Sequence, residues 1–429
     1  MQLPPRVPTG RAPAWGITGV MSAAVLLMLT LSPPADAACS TTRVTSLARL
    51  ASEVSAGHSV CLADGSYTGD VDLANTSRRR AVVTQEGAAV VHGQVRLNSG
   101  HLELDGLELD NTGRTGSGAD CVRIQTVGGT DITITDSDIG SCARDAIRMA
   151  YNRGRHDTGV TIAGNHLHDA GWNACTCYMR GGLFMDNLVQ DIHNDGLQLW
   201  GASNVVRHNT FRNLVAHPAT NHNDVLQTWQ VPDDPATGDP LTNLVFDRNV
   251  VDTVAGPDSH GFMIGGGSAN KALTIDSNLF RDIGSIGMLF DGALSVELRA
   301  NTFVRAGGVD TVQWKGGATG TIDSNVLYQA ASYGPQPWYQ DPSSHPSHAY
   351  NLAWGGKLLS DEATGVNADP RFYDPDGALD TDRLDDYSLS AGSQAVDRGD
   401  PSVISRIDIT GRSISGFRLD IGAFERPAG

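Results

Sequence analysis

Seven asparagines recur along the middle of the chain, each set between an alternating strand-like segment and an apolar pair. They are Asn165, Asn187, Asn209, Asn249, Asn278, Asn301 and Asn325, as where Leu273-Thr-Ile-Asp precedes Asn278-Leu-Phe. Ser137 takes the same place one period earlier, most steps fall between 22 and 29 residues, and one is 40. A steady period of this length marks a solenoid or a propeller. Each period holds about three short strands and no helical stretch, the content of one coil of a parallel β-helix. Asn tolerates the left-handed backbone that a sharp turn between strands needs, so the ladder reads as architecture. The expected fold is therefore all-β: a single-stranded, right-handed parallel β-helix with an N-terminal helical cap and a C-terminal wrap. Composition agrees, with 49 glycines and 6% aromatics among 429 residues, a mix for tight turns and short strands.

The ends organise around that solenoid. Arg6 and Arg11 precede an apolar stretch from Trp15 to Leu31, and Ala35-Asp36-Ala37 offers small residues at a cleavage site. The expectation is a signal peptide over 1–37 and a secreted protein with no membrane association after cleavage. The uninterrupted apolar core, Ala23 to Leu29, is short for a membrane span. An N-terminal cap follows over 38–65, where Thr45 to Ser55 has helical apolar spacing. The β-helix is expected over 66–330, and closing coils with a cap over 331–429. Cys39–Cys61 and Cys121–Cys142 are plausible bridges in an exported chain, while Cys175 and Cys177 read as buried thiols. The net charge of −17 becomes −18 once two arginines and Asp36 leave with the leader. Such a surface repels phosphate backbones, which excludes nucleic acid as a natural partner. A monomer acting on a polysaccharide is expected.

A second column lies about eight residues beyond the ladder. It contains Asp120, Asp145, Asn173, Asp195, Asp224, His260, Ile286 and Asp310. In the strand that follows, Arg123, Arg148, Thr176, Gln198, Gln227, Met263, Leu289 and Gln313 should point outward. Two residues further stand Gln125, Ala150, Tyr178, Trp200, Trp229, Gly265, Asp291 and Lys315. Two adjacent coils carry nearly one octapeptide: His193-Asn-Asp-Gly-Leu-Gln-Leu-Trp200 and His222-Asn-Asp-Val-Leu-Gln-Thr-Trp229. Asp195 and Asp224 would then sit about 4.8 Å apart at the backbone, and their repulsion would raise one carboxyl's pKa. Asp195, Asp224, His260 and Asp291 are the candidate catalytic residues. Tyr178, Gln198, Trp200, Asn223, Gln227, Trp229, Arg148 and Lys315 are candidate sugar contacts, the aromatics as flat platforms. Carboxylates beside aromatics suit glycoside hydrolysis. The plainer reading of Asp at such a turn is capping of backbone amides, with even weight for Asp120, Asp145 and Asp310.

The order Asn194-Asp-Gly, then Asn223-Asp224, then His260-Gly resembles the polygalacturonase family of pectin-degrading β-helices. The resemblance implies that Asp195 and Asp224 flank the bond cut and that His260 supports them. It also exposes departures: Asn223 stands where that family has an acid, and Leu289 and Asp291 where it has Arg-x-Lys. A neutral or amino sugar then suits Asp291 better than galacturonate, and the missing acid would be Asp291, Asp233 or Asp234. The segments Ala368-Asp-Pro-Arg-Phe372, Asp386-Tyr-Ser-Leu-Ser-Ala-Gly-Ser393 and Asp420-Ile-Gly-Ala-Phe-Glu425 resemble the closing region of many secreted bacterial β-helix proteins. That resemblance implies a wrap over the last coil.

Three functions stay open at this point. The expected one is a secreted polysaccharide-degrading glycoside hydrolase that uses Asp195 and Asp224 and no cofactor; the other two are alternatives. A polysaccharide lyase or epimerase would use cations such as Arg123, Arg148, Arg180, His156 and Lys315, with Ca²⁺ possible at Asp233-Asp234. A non-catalytic glycan-binding protein would need only the aromatic face.

Overall fold

A strand that carries apolar side chains on one face must bury that face, and here consecutive coils of one chain do so for each other. The computed structural model describes residues 41–429 apart from 117, 127, 152–155, 218–221, 230–239, 256–257, 330–337, 359–361, 376–383 and 427–429. The leader over 1–37, the Cys39 end of the first expected bridge and Asp233-Asp234 lie outside the described residues. Among the described residues no helix is long and apolar enough to cross a membrane.

Each coil contributes one strand to each of three columns. The coil of Leu183–Met185, Leu188–Gln190 and Leu197–Trp200 shows the pattern. Every pairing between these strands and their neighbours is parallel, and the crossovers take the right-handed sense that parallel connections favour. The chain is a right-handed parallel β-helix. Phe184, Val189, Leu197 and Leu199 of this coil point inward and are fully or almost fully buried. Burial of each such side chain contributes about 1.5–3 kcal/mol. Inside the solenoid, Phe280 stacks on Phe303 one coil later with ring centroids 5.1 Å apart.

The asparagine ladder is present and longer than the sequence pattern suggests. The backbone N–H and Nδ2 of Asn187 both donate to Oδ1 of Asn209, at 3.0 and 2.9 Å, and Nδ2 also donates to the Ile162 carbonyl at 2.9 Å. The pattern repeats through Asn249, Asn278, Asn301 and Asn325 to Asn351, whose N–H and Nδ2 end on Glu362 Oε1. One expectation is corrected. The left-handed residue is the one before the asparagine, as in Asp186 (φ 55°), His208 (φ 55°), Arg248 (φ 54°) and Ser277 (φ 62°). Asn occupies its place for its buried amide, which supplies partners to backbone groups that the strands leave open at the turn.

Both ends are closed. The α-helix Leu47–Ser55 starts at Ser46, whose Oγ accepts from the Arg49 N–H at 3.3 Å, and buries Leu50 and Val54 at the first coils. The C-terminal segment meets the last coil through Leu358, which joins the solenoid core, and Glu362, which ends the asparagine ladder, and then lies along a flank of the solenoid. There the outward residues Val250, Leu279, Thr302, Val326 and Leu352 stack in register, all but Thr302 apolar, and Tyr387, Leu389, Ile421 and Phe424 pack with the apolar members. Buried Arg406 pins the wrap, donating to Ser277 Oγ at 2.7 Å and to the Ala300 and Gly422 carbonyls at 3.2 Å.

Cys121–Cys142 is bridged, with Cα atoms 5.5 Å apart. Cys175 and Cys177, expected as thiols, are also joined, with Cα atoms 5.6 Å apart. Residues two apart in a strand share a face, and this separation lies within the span a disulfide takes.

Replacing Asn209 by Ala strips two donors of Asn187 of their acceptor. Chemical denaturation should show a loss of about 2–4 kcal/mol, whereas Arg78→Ala, at an exposed position, should leave stability within about 0.5 kcal/mol of wild type.

Candidate active site

The second column forms its own ladder, and it runs in the opposite sense. Asp145 Oδ1 accepts from the Asn173 N–H at 3.3 Å, Asn173 Oδ1 from the Asp195 N–H at 3.2 Å, and Asp195 Oδ1 from the Asp224 N–H at 2.9 Å. Asp224 Oδ1 then meets His260 Nδ1 at 2.8 Å. The register Asp224↔His260↔Ile286↔Asp310 holds beyond it. Most members also reach the outward residue three positions on. Asp145 accepts from Arg148 at 2.8 Å, Asp195 from Gln198 at 2.8 Å, and Asp310 from Gln313 at 2.7 Å. Amide capping therefore accounts for Asp145, whose second oxygen is further held by Thr176 at 2.7 Å.

The centre departs from this pattern at Asp195 and Asp224. Both side chains are 0% exposed. Burial, reinforced by the neighbouring charge of Asp224, pushes the Asp195 carboxyl up to about 8. His222, two residues before Asp224 on the same strand side, places Nε2 3.2 Å from Asp224 Oδ2. Pairing with Asp224 lifts the imidazole to about 9. Its Nδ1 donates to the Asp258 carbonyl at 3.1 Å, and the Gln227 amide nitrogen stands 2.7 Å from Nε2. Nε2 can thus accept from Gln227 when neutral and face Asp224 when protonated. With a side-chain exposure of 20%, His222 is the member of the cluster that reaches solvent, while His260 is buried. His222, Asp224 and His260 also present ligand atoms all within 4.8 Å of one another, a grouping that could hold a metal.

Several expected sugar contacts are placed differently. Trp200 is 1% exposed, stacked on Tyr178 at 4.6 Å and edge-on to Trp229 at 4.9 Å, with Nε1 donating to the Trp229 carbonyl. Rings on successive coils cover one another's faces, so Trp200 offers none to a sugar, and Tyr178 at 7% offers little. Asn223 is buried, donating to the Leu214 carbonyl at 2.9 Å and accepting from Ser259, which makes it a structural amide. Gln198, Gln227 and Trp229 remain partly accessible. Arg148 lies three coils from Gln227 in the same column. Asp291 is exposed and pairs in register with Lys315, whose Nζ lies 5.5 Å from the Tyr339 ring centre. These two stand apart from the His222 cluster, on later coils.

His222 escaped the candidate residues although it belongs to the repeated octapeptide. The available signal was its i, i+2 relation to Asp224, which puts both on one strand face.

No family model and no curated protein matches this chain. Solved structures do. The A-module of mannuronan C-5 epimerase AlgE4 from Azotobacter vinelandii superposes with a TM-score of 0.56 and 16% identity, over 78% of this chain and 98% of that one. The AlgE6 A-module from the same organism gives 0.53 and 14%, over 77% and 96%. The PL6 family alginate lyase AlyGC gives 0.51 and 12%, over 82% of this chain and 57% of that one. What they share is the fold. The pectinase-like motif order has no family match behind it, and the site rests on its own geometry.

The raised groups set a pH signature. Asp195 titrates near 3.8 unfolded and near 8 folded, so its ionisation costs stability increasingly as pH rises from about 4 to about 8. His222 contributes stability below about 6.5 that is lost as pH rises through about 9. Wild type should therefore weaken between pH 6.5 and 8, and Asp195→Asn should flatten that decline. Thermal unfolding across this range reads the difference, and parallel curves for the two proteins would contradict the assignment.

Proposed function

We propose that the protein is a polysaccharide-active enzyme whose chemistry is proton transfer at His222, supported by Asp224. The observation carrying this reading is that the accessible group at the carboxylate cluster is an imidazole backed by a fully buried carboxylate. A general acid or base must reach the proton it moves, and His222 is the group that can.

Of the reactions open to such a centre, removal of the C5 proton of a uronate fits best. In the molecules whose His222 is neutral, a share that grows as pH rises towards about 9, Nε2 takes the proton, and Asp224 stabilises the imidazolium formed. The freed pair then either forms the C4–C5 double bond as the C4–oxygen bond breaks and the leaving oxygen takes a proton from water, or captures a proton from water on the opposite face. The former is elimination and the latter epimerisation. Arg123 and Arg148 stack in register on the same face, and Arg148, held through one amino group by Asp145, has further guanidinium donors for uronate carboxylates along the polymer. The superposed relatives include two mannuronan epimerases and an alginate lyase by name, which agrees with this class. Glycoside hydrolysis is the second reading. The His222 imidazole, lifted to about 9, favours it by keeping an accessible acid protonated at neutral pH.

The test is incubation of the mature protein with alginate, pectate and neutral glucans. Products are analysed for unsaturation, for reducing ends and for deuterium at C5 from heavy water. Unsaturated products or C5 deuterium are expected from a uronate polymer, and His222→Ala should lower turnover by about 10²–10⁴-fold. Reducing ends without unsaturation would favour the hydrolase. Binding with no product from any polymer would overturn the enzymatic reading.

A further inference from the structure

A second His/Asp cluster lies on a different sheet from the His222 site. The strands Asp138–Cys142 and His166–His168 are parallel neighbours in the sheet that carries the asparagine turns, with Asp138 opposite His166. One carboxylate reaches two imidazoles. Asp138 Oδ2 stands 3.0 Å from His166 Nδ1, and Oδ1 stands 2.7 Å from His168 Nε2. The rings stack with centroids 4.3 Å apart and planes 22° apart. One ligand atom from each residue lies within 4.8 Å of the other two.

Two further features distinguish this arrangement from a chance surface ion pair. His168 Nδ1 sits 2.7 Å from Asp169 Oδ2. A carboxylate on the far nitrogen is the partner that fixes the tautomer of a metal-binding histidine and leaves Nε2 free to ligate. The ring also has a made seat. A Cβ at Gly140 would stand 2.2 Å from His168 Cε1 and 2.3 Å from its Nε2, so only glycine leaves room for the imidazole. Asp138, His166 and His168 have side chains 52%, 33% and 20% exposed, open to an entering ion. Glu108, opposite Asp138 on the preceding coil, adds negative charge.

We propose that Asp138, His166 and His168 form a zinc site, with Asp169 as a positioning residue for His168. Two imidazole nitrogens and one carboxylate oxygen select a borderline cation such as Zn²⁺ over Ca²⁺, which prefers oxygen ligands alone. Bonds of about 2.0–2.2 Å place such donors a little over 3 Å apart, within the present spread. Binding displaces the protons that now bridge Asp138 to the rings, so affinity should weaken in acid. The ion would tie two successive coils together on a face remote from the sugar chemistry, and the inference does not depend on it.

The experiment is calorimetric titration of the full-length mature protein with ZnCl₂, with CaCl₂ as the comparison. The His222 cluster offers a possible second zinc position, so stoichiometry is compared between proteins. Wild type should bind one zinc equivalent more than His166→Gln/His168→Gln, with circular dichroism verifying that the variant folds. Asp169→Asn keeps the backbone preference at that left-handed residue (φ 48°) and should weaken this site about 10–100-fold. Equal stoichiometry in wild type and the double variant would overturn the site. Absence of zinc binding by wild type, or calcium binding lost in the double variant, would overturn it equally.

Discussion

The interaction on which the molecule depends is the hydrogen bond from a buried side chain on one coil to the backbone of the next. At each turn the chain leaves the strand ladder, and the backbone N–H there has no strand partner. An Asn or Asp oxygen supplies one, so the solenoid is joined by side chains where the strands cannot join it. Two such columns run along the molecule in opposite senses, one through Asn187 and Asn209 and one through Asn173, Asp195 and Asp224.

The candidate site is a modification of the second column. An amide in that position is neutral and satisfied, as at Asn173. Substituting carboxylates on two successive coils keeps the same backbone bonds and adds buried charge. The low-dielectric interior then amplifies the repulsion between Asp195 and Asp224, and the imidazole of His222 offsets it. In the proposed function, structural capping and acid–base chemistry are two uses of one position. Asp145 has Arg148 and Thr176 on its second oxygen, whereas Asp224 faces the imidazoles of His260 and His222.

The parts of the fold legible in the sequence are those set by period. Asn spacing gives the coil, alternation gives the inward residues, and the octapeptide repeat aligns Gln198 with Gln227 as found. The parts that escaped depend on what neighbouring coils do to a side chain. Trp200 has an outward sequence position but is covered by Tyr178 and Trp229. Asn223 looks like a polar contact but completes a buried amide. The wrap follows the flank because Val250, Leu279, Val326 and Leu352 form an apolar outward stripe interrupted at Thr302, and no single strand reveals a stripe spread over five coils. His222 was visible in the sequence; its role emerges only when the burial of Asp195 and Asp224 leaves it as the accessible partner.

The central claim is that substrate meets this solenoid at the accessible edge of the second column. A crystal structure of the His222→Asn variant with a bound oligosaccharide tests it most directly. The account predicts a sugar ring at residue 222, in contact with Gln198, Gln227 and Trp229, with the chain running along the arginine-bearing face. Oligosaccharide bound on another face, with this edge bare, would contradict it.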